Sequence, residues 1–438
     1  MSKFNKAIII ISGKFMKNTG WLLFEQIFRM ILSLIVTALM ARYLGIHNFG
    51  LISYGAAYVA IFTVICKLGM DSILVNEIIN KREDTGQMLG TTIILRLVAS
   101  LLSIVVIFVI MAFLNPNNNT LQIVVFIQSI SLLFISFDIV AYWFQSNLQS
   151  KYAVISKIVA YVLIAVWRVV LIYFKASVTY FAFATILEAI VVSVLLITFY
   201  YKFKGQKLRF SFLTAKMLIS RSYHLLIANL IATIYTQMDK IMLGQLASES
   251  TVGIYTAAMT ISSLWMFIPN ALIESARPLI LTAKINDNKA YIKRYKQLNC
   301  SIIWIGILAS VFIYLFSKSI IFLVFGEQFA DAVVVLAVLI WSRTFSLLGS
   351  VRSIWLISEN LKQYHIYFIG IGAILNVILN LTLIPRYGAI GAAIAAIIAE
   401  VVSSTLALLL FKQTRPLFKL IVDSFLFKGV IGYSAKKA

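Results

Sequence analysis

The stretch WLLFEQIFRMILSLIVTALMARYLG, residues 21–45, is long and apolar enough to cross a bilayer, yet it contains three charged residues. Two of them, Glu25 and Arg29, lie one helical turn apart among Leu, Ile, Phe and Met. A membrane-spanning helix needs about 20 apolar residues, and an arginine at its centre costs roughly 2.5–3.5 kcal/mol even on lenient insertion scales. The stretch therefore predicts a transmembrane helix, and it leaves open what Arg29 binds.

The rest of the chain has the same character. Of its 438 residues, 61% are hydrophobic and only 12% are charged, with a mean hydropathy of +0.95, whereas soluble domains have about 25% charged residues. The apolar runs are continuous, unlike the short alternating strands of a membrane barrel. This composition predicts an all-α polytopic membrane protein with twelve spans, at approximately 20–41, 51–69, 91–113, 121–142, 156–174, 180–201, 218–245, 253–275, 298–316, 332–357, 366–384 and 388–411.

The net charge of +22 is distributed unevenly between the two predicted sides of the membrane. With the N-terminus inside, most Lys and Arg residues fall in the two tails and the loops of one side. The opposite side receives only Arg42, Lys175, Lys318 and Arg386. This asymmetry follows the positive-inside rule and predicts a multi-pass protein with both termini in the cytoplasm. The basic residues are thereby explained by topology and anionic lipids, and we expect no nucleic-acid partner.

The longest basic connection, residues 202–216, divides the predicted spans six and six. The two halves resemble each other: YLGIHNFGLISYGAA follows the first span and QLASESTVGIYTAAM follows the seventh, with Gly50 and Gly253 in matching positions. Because six is even, both halves enter the membrane in the same direction, which predicts a parallel repeat. We therefore expect an N-terminal lobe, a C-terminal lobe and an interfacial, amphipathic cytoplasmic tail, at residues 1–205, 206–411 and 412–438.

Arginines inside the predicted spans are the strongest functional signal. Arg29 has Glu25 at i+4 spacing, so a purely structural pair is an alternative to a functional role. Arg168 has no carboxylate within a turn and should face the bundle interior, where Glu188, Glu400 or an anionic ligand could meet it.

Arg343 opens a polar stripe with Ser346, Ser350 and Ser353. Arg352 is a further basic candidate, although its position near the predicted cytoplasmic end favours snorkelling to the interface.

Acidic residues in the spans are candidates for ion coupling or gating. Glu25, Glu188 and Glu400 could each bind a proton or Na⁺, or could only neutralise an arginine. Asp239 and Lys240 lie toward the outer end of the seventh span, where a salt bridge between helices could form a gate or a static pair. Asp138 and Glu274 lie near cytoplasmic ends and are interpreted as boundary charges.

No catalytic motif accompanies these charges: the chain has no Walker A loop, dinucleotide fingerprint, nucleophile elbow or zincin motif. We therefore expect no catalytic residues, no metal and no cofactor other than a coupling H⁺ or Na⁺. Two functions compete, an anion-binding transporter and an exporter of organic cations. The three deep arginines favour the first. A membrane-embedded glycosyltransferase or ligase would need an outward domain or an acidic metal motif, which the longest predicted outward loop, 317–331, does not contain.

Three segments resemble a known family. ALMARYLGIHNFGLISYGAAYVAIF (residues 38–62) is similar to the first-to-second helix corner of the polysaccharide transporters, the O-antigen (Wzx-type) flippases. IYTQMDKIMLGQLASESTVGIYTAAM (234–259) resembles their seventh-to-eighth corner, and LIPRYGAIGAAIAAIIAE (383–400) resembles the start of their last helix. This family belongs to the multidrug/oligosaccharidyl-lipid/polysaccharide exporter superfamily.

The resemblance implies two six-helix lobes around a cationic cavity, alternating access, and export of an undecaprenyl-diphosphate-linked oligosaccharide across a bacterial inner membrane. It implies basic intramembrane residues as the substrate site, for which Arg29, Arg168, Arg343 and Arg352 are the candidates. Membrane lipids, polysaccharide polymerase and chain-length proteins are the expected further partners. The related lipid II flippases have two additional helices that this chain is expected to lack, which leaves lipid II as a less favoured alternative substrate, beside the multidrug antiporters of the same superfamily.

Overall fold

The computed structural model describes residues 2–80 and 84–428, and all regular secondary structure in these ranges is helical. These ranges contain fourteen α-helices: α1 (Ser2–Lys67), α2 (Asp71–Asn80), α3 (Thr85–Leu114), α4 (Asn119–Ile135), α5 (Ile139–Ser146), α6 (Ser150–Tyr173), α7 (Val178–Lys202), α8 (Phe212–Leu246), α9 (Glu249–Leu264), α10 (Phe267–Asn286), α11 (Asn288–Val324), α12 (Ala332–Ser358), α13 (Gln363–Ser404) and α14 (Arg415–Phe425). The predicted all-α architecture is confirmed.

Within the described ranges, nine continuous helical stretches are long and apolar enough to cross a membrane. Two of them are double-length, because α1 and α13 are each broken at a glycine with a positive φ, Gly45 (73°) and Gly388 (53°). Glycine adopts this left-handed region without the steric cost of a Cβ atom. A straight helix of 42 residues, the length of α13, would measure about 63 Å, twice the hydrocarbon core. Each double-length helix therefore supplies two spans, which brings the nine stretches to eleven spans. The helices α9 and α10, bent by 44°, together supply one more. The total agrees with the predicted twelve.

The two glycines that suggested an internal repeat occupy equivalent places in the structure. Gly50 is buried shortly after the break at Gly45, in the first turns of the second half of α1. Gly253 is buried in the first turns of α9, shortly after the N-cap residue Ser248, whose hydroxyl accepts a hydrogen bond from the Thr251 N–H at 3.2 Å. Both glycines thus begin the second span of their half of the chain, as the parallel repeat requires.

The chain forms two compact units, Met1–Thr233 and Ile234–Ala438. The linker between α7 and α8 and the first half of α8 belong to the first unit. Its core includes Leu89, Phe144 and Tyr200. The core of the second unit packs α11 and α12 around residues such as Tyr295 and Val351. The lobe boundary predicted at 205/206 stays a prediction, while the compact unit extends further along the chain.

The linker is held on the N-terminal end of α3. The Gly86 N–H donates to Gln206 Oε1 at 2.8 Å, and the Arg209 N–H donates to the Gly86 carbonyl at 3.3 Å. Close approach is possible because α3 has glycines on this face: a Cβ atom on Gly90 would lie 2.6 Å from the backbone N and O atoms of Arg209. The small residues of α3 therefore let the linker pack directly against this helix. We call this contact surface, formed by Gly86 and Gly90, the linker seat.

Two ion pairs add to this region of the first unit. Arg96 of α3 is completely buried and donates from Nη2 to Asp71 at the start of α2. Glu77 of α2 accepts from Arg221 of α8. These pairs connect α2 to α3 and to the first half of α8, which explains why the beginning of α8 packs with the first unit. Residues 81–83, which follow α2, and the last ten residues of the predicted tail lie outside the described ranges.

Gly90→Ala tests the linker seat. The added Cβ atom collides with backbone rather than with a movable side chain, and overpacking of this kind costs about 1–3 kcal/mol. The gain in helix propensity is at most about 1 kcal/mol, so we expect a lower thermal unfolding midpoint in detergent. Gly370→Ala in α13 is the control, because no atom lies within 4 Å of its added Cβ. Equal midpoints for the two variants would contradict the seat.

Candidate functional site

A polar cavity of about 120 Å³ lies between α1, α6 and α7 in the first unit. Its lining includes Arg29 from α1, Tyr161 and Arg168 from α6, and Glu188 from α7. A water molecule occupies about 30 Å³ in the liquid, so several waters or a small ionic group would fit. The structure therefore brings together two of the predicted arginines and one of the predicted carboxylates.

Arg29 is held only loosely by its predicted partner. Its Nε lies 3.9 Å from Oε1 of Glu25, and the same carboxylate oxygen accepts a hydrogen bond from the Tyr161 hydroxyl at 3.3 Å. The Glu25 side chain is 9% exposed, whereas the Arg29 side chain is 53% exposed. The intrahelical pair exists, but it is long, and the half-exposed guanidinium group of Arg29 also lines the cavity.

Arg168 lacks a close anion. Its Nε is buried without a hydrogen-bond partner among the described residues, and no described carboxylate oxygen lies within 4.0 Å of it. Glu188, which lines the same cavity, is the acidic group with which Arg168 interacts electrostatically. A buried guanidinium nitrogen without an acceptor loses the free energy of a hydrogen bond. Buried Nε atoms of Arg96 and Arg352 also lack partners among the described residues, so what distinguishes Arg168 is that its side chain lines a cavity.

A second cavity of about 330 Å³ in the first unit shares Tyr161 and Glu188 with the first one. Asp138 and Lys157 also line it. Asp138, interpreted as a boundary charge, thus also lines a cavity, and its depth in the membrane stays a prediction. Lys157, at the start of the predicted span 156–174, was not among the predicted site residues. Helical spacing contains the signal, since Lys157, Tyr161 and Arg168 follow one another at i, i+4 and i+11 and therefore share one face of α6.

The second unit has a smaller polar cavity, of about 40 Å³, lined by Tyr235, Asp239, Tyr255, Arg343 and Glu400, among others. Arg343 of α12 donates from Nε to the Ser262 hydroxyl of α9 at 3.2 Å. Glu400 of α13 interacts electrostatically with Arg343. The predicted arginine and carboxylate of this half of the chain are thus brought to one place.

Asp239 is buried in a network of neutral partners. It accepts hydrogen bonds from the Tyr255 hydroxyl at 2.6 Å and from Asn380 Nδ2 at 2.8 Å, and Asn380 also donates to Asn376 Oδ1 at 3.1 Å. No described Lys or Arg nitrogen lies within 4.0 Å of Asp239, so the predicted salt bridge is wrong for this structure. Lys240 is 100° further round α8 and is not part of the cavity lining.

The two asparagines were missed in the sequence because neither is charged, although their i, i+4 spacing on an apolar helix was visible. Asn376 and Asn380 lie one turn apart on α13 and are 1% and 0% exposed. Oδ1 of Asn380 has no hydrogen-bond donor among the described residues. Within the same ranges no three His, Cys, Asp or Glu side chains form a metal-binding group, so a cation next to Asp239 would depend on neighbouring amide oxygens as well as on carboxylates.

Arg352 has a structural role, because it binds the C-terminal end of α13. The snorkelling interpretation is wrong, because the residue is only 3% exposed. Its guanidinium group donates from Nη1 to the carbonyl of Ser403 and lies 4.8 Å from the centre of the Phe368 ring. α13 ends at Ser404, so Arg352 satisfies one of the carbonyls that a helix leaves unpaired at its C-terminus. It does not line the cavity that contains Arg343.

Basic and acidic groups accompany one another in each unit. In the first unit, Arg29, Arg168 and Lys157 are matched by Glu25, Glu188 and Asp138. In the second unit, Arg343 shares its cavity with Asp239 and Glu400. An anion that binds to these arginines must therefore replace a resident carboxylate, or meet it in its protonated form.

The chain matches the family described as polysaccharide biosynthesis protein over residues 15–282, more than half of its length. It belongs to this family. The resemblance found in its sequence is thereby confirmed.

Among curated proteins, it is 28% identical over 207 residues to the probable flippase AglR of Haloferax volcanii, covering 45% of this chain and 43% of that protein. It is 26% identical over 196 residues to the putative O-antigen transporter of Salmonella typhi, covering 42% and 45% respectively. The chain thus matches less than half the length of these relatives.

Solved structures share the fold over nearly the whole chain. The inward closed conformation of the lipid II flippase MurJ superposes with a TM-score of 0.72 at 16% identity, covering 95% of this chain and 93% of that one. An inward-facing multidrug resistance MATE family transporter of the MOP superfamily gives 0.70 at 14% identity, covering 90% and 96%. These likenesses establish the fold class that the sequence predicted.

Two substitutions in α12 test the roles of its arginines. Arg352→Ala removes the arginine that binds a helix end, and Arg343→Ala removes the arginine that lines the cavity. Removing Arg352 deletes a helix C-terminal interaction worth up to about 2 kcal/mol and a desolvated cation–π contact of similar size. We expect a clearly lower thermal unfolding midpoint for Arg352→Ala than for Arg343→Ala, measured in the same detergent. The reverse order would refute the capping role.

Proposed function

We propose that this protein is a flippase that moves an undecaprenyl-diphosphate-linked oligosaccharide, an O-antigen or capsule repeat unit, from the inner to the outer leaflet of a bacterial inner membrane. It does so by alternating access, as a multi-pass protein with both termini in the cytoplasm. The observation that supports this most directly is the cavity containing Arg29, Arg168 and Glu188, in which Arg168 Nε has no hydrogen-bond partner among the described residues.

The chemistry of a diphosphate fits such a site. Guanidinium groups bind phosphate oxygens in bidentate geometry and remain charged at every physiological pH. Arg168 has a free Nε and Arg29 is loosely paired. When the diphosphate enters, it takes the place of Glu188 and Glu25 as the counter-charge of these arginines. The polyprenyl chain stays in the bilayer while the sugars cross an aqueous space.

The relatives give independent support. One is named a probable flippase and another a putative O-antigen transporter, and these names favour transport over a membrane-embedded glycosyltransferase. Lipid-linked oligosaccharide and membrane lipids are then the primary partners. Association with polysaccharide polymerase and chain-length proteins remains a prediction from the family resemblance.

Ion coupling follows from the charge balance of the cavities. A proton that moves opposite to the substrate could reset the protein by binding Glu188 after the diphosphate has left the arginines. In the second unit, Asp239 could bind Na⁺ instead. Rotation of the Asn380 side-chain amide would turn its free oxygen toward Asp239 and Asn376, and oxygen atoms of this kind are the ligands that hard cations prefer.

Arg168→Ala and Arg168→Lys test the substrate site. In a strain deleted for this gene, we expect Arg168→Ala to reduce surface polysaccharide at least about tenfold, corresponding to about 1.4 kcal/mol, because the charge that meets the diphosphate is lost. Arg168→Lys keeps the charge but not the bidentate geometry and should recover only part of the transport.

The matched control is Arg386→Ala, since Arg386 is an exposed arginine of α13 outside the cavities described above. All three variants are compared at equal protein abundance in the membrane. Normal surface polysaccharide in both Arg168 variants would remove this residue from the substrate site and would defeat the proposed binding mode.

Glu188→Gln and Asp239→Asn distinguish the two coupling ions. In proteoliposomes loaded with lipid-linked oligosaccharide, we expect an imposed pH gradient to stimulate transport by the parent protein but not by Glu188→Gln. If Na⁺ is the coupling ion instead, an Na⁺ gradient should stimulate the parent but not Asp239→Asn. Glu274→Gln is the control, because Glu274 forms an exposed local pair with Arg277. If the parent responds to neither gradient, coupling is excluded.

A second function, antiport of organic cations, is favoured by one observation: Asp239 and Glu400 line the same small cavity beside a single arginine. Efflux of a fluorescent cationic dye from cells overproducing the protein separates it from the flippase. We expect no dye efflux above the empty-vector level. The same complementation assay with lipid II as the required cargo tests the remaining alternative.

A further inference from the structure

An apolar groove of about 410 Å³ lies in the second unit between α11, α12 and the short helix α14. Its walls are formed by side chains such as Ile307, Trp341, Phe345, Phe418, Val422 and Phe425. The volume is in the range of ligand sites, about 300–1,000 Å³. Apolar walls favour apolar occupants over water, and in a bilayer the molecules available to fill the groove are hydrocarbon chains.

The groove has a fixed shape, because α14 is attached to its neighbours near both of its ends. At its start, Leu417 is fully buried and the Thr414 hydroxyl donates to the Leu408 carbonyl at 2.8 Å. Toward its end, Lys296 Nζ donates to Asp423 Oδ2 at 2.8 Å, and Trp304 stacks against Phe425. The Lys296 hydrogen bond lowers the pKa of the Asp423 carboxyl, so this attachment persists throughout the physiological pH range.

Basic residues border the groove along α14. Arg415 and Lys419 are exposed and lie one turn apart. Each has a groove residue three positions further along the helix, Phe418 and Val422 respectively, and residues at this spacing are surface neighbours. Arg415 donates from Nε to the Leu409 carbonyl at 3.0 Å, which positions its guanidinium group. Apolar wall and basic rim therefore lie side by side on one helix.

We propose that this groove is a binding site for an anionic phospholipid. One acyl chain occupies the apolar space, and the phosphate of the headgroup contacts Arg415 and Lys419. Charge complementarity selects an anionic lipid over a zwitterionic one, since basic groups on an interfacial helix attract the anionic leaflet. The inference concerns a surface of the second unit only and does not depend on the transported substrate.

Blocking the groove tests the acyl-chain site. Native mass spectrometry of the full-length protein in mild detergent should detect a retained phosphatidylglycerol. Ile307→Trp places an indole in the groove and should reduce this retention at least about fivefold. Leu308→Trp is the matched control, because Leu308 is the next residue of α11, is 66% exposed and does not line the groove. Equal retention by the two variants would overturn the proposal.

The headgroup preference is tested separately. In vesicles of phosphatidylethanolamine with a minor fraction of phosphatidylglycerol, the parent protein should retain phosphatidylglycerol in excess of its share. The double variant Arg415→Gln/Lys419→Gln should lose this excess while still retaining a phospholipid. Lys289→Gln/Lys362→Gln removes the same charge from exposed positions elsewhere in the second unit and should leave the excess unchanged. No excess in the parent, or a polyprenyl lipid in place of the phospholipid, would refute the assignment.

Discussion

A charged side chain inside a bilayer needs either a partner of opposite charge or contact with water, and this constraint organises the polar residues of both units. Glu25, Glu188 and Glu400 each lie near an arginine. Burying a guanidinium group alone would be prohibitively costly, whereas a nearby carboxylate reduces that cost without filling the cavity. The helices can therefore place arginines deep in the membrane and still leave space between the charges.

Hydropathy predicted most of the fold, because the bilayer determines how long and how apolar each membrane-spanning helix must be. A span needs about 20 apolar residues, and the sequence shows runs of this length separated by short polar turns. The position of the break in α1 was also visible, since Gly45 stands between two such runs and only glycine tolerates its backbone conformation. The repeat at Gly50 and Gly253 could be recognised for the same reason: it is a pattern along the chain.

The partners of the charges could not be predicted with the same success, because they come from other helices. Arg352 illustrates this: its distance from the predicted helix end suggested snorkelling, but the carbonyl that it binds belongs to the end of α13, which hydropathy does not locate. Asn376 and Asn380 were overlooked because their hydrogen-bond network includes Asp239, which lies on another helix, α8. Lys157 was recoverable, since helical periodicity places it on the face of Arg168.

The contacts of the arginines divide them into two kinds. Arg96 is completely buried and directly paired with Asp71, and Arg352 is bound to a helix end, so both are engaged in holding helices together. Arg29 lies 3.9 Å from its carboxylate, and no carboxylate in the described part of the chain lies within 4.0 Å of Arg168. Loose pairs contribute little to stability, yet a loose pair beside a cavity is what an exchangeable counter-ion requires. The sequence contains arginines of both kinds, and only the geometry of their partners distinguishes a structural charge from one that is available to a ligand.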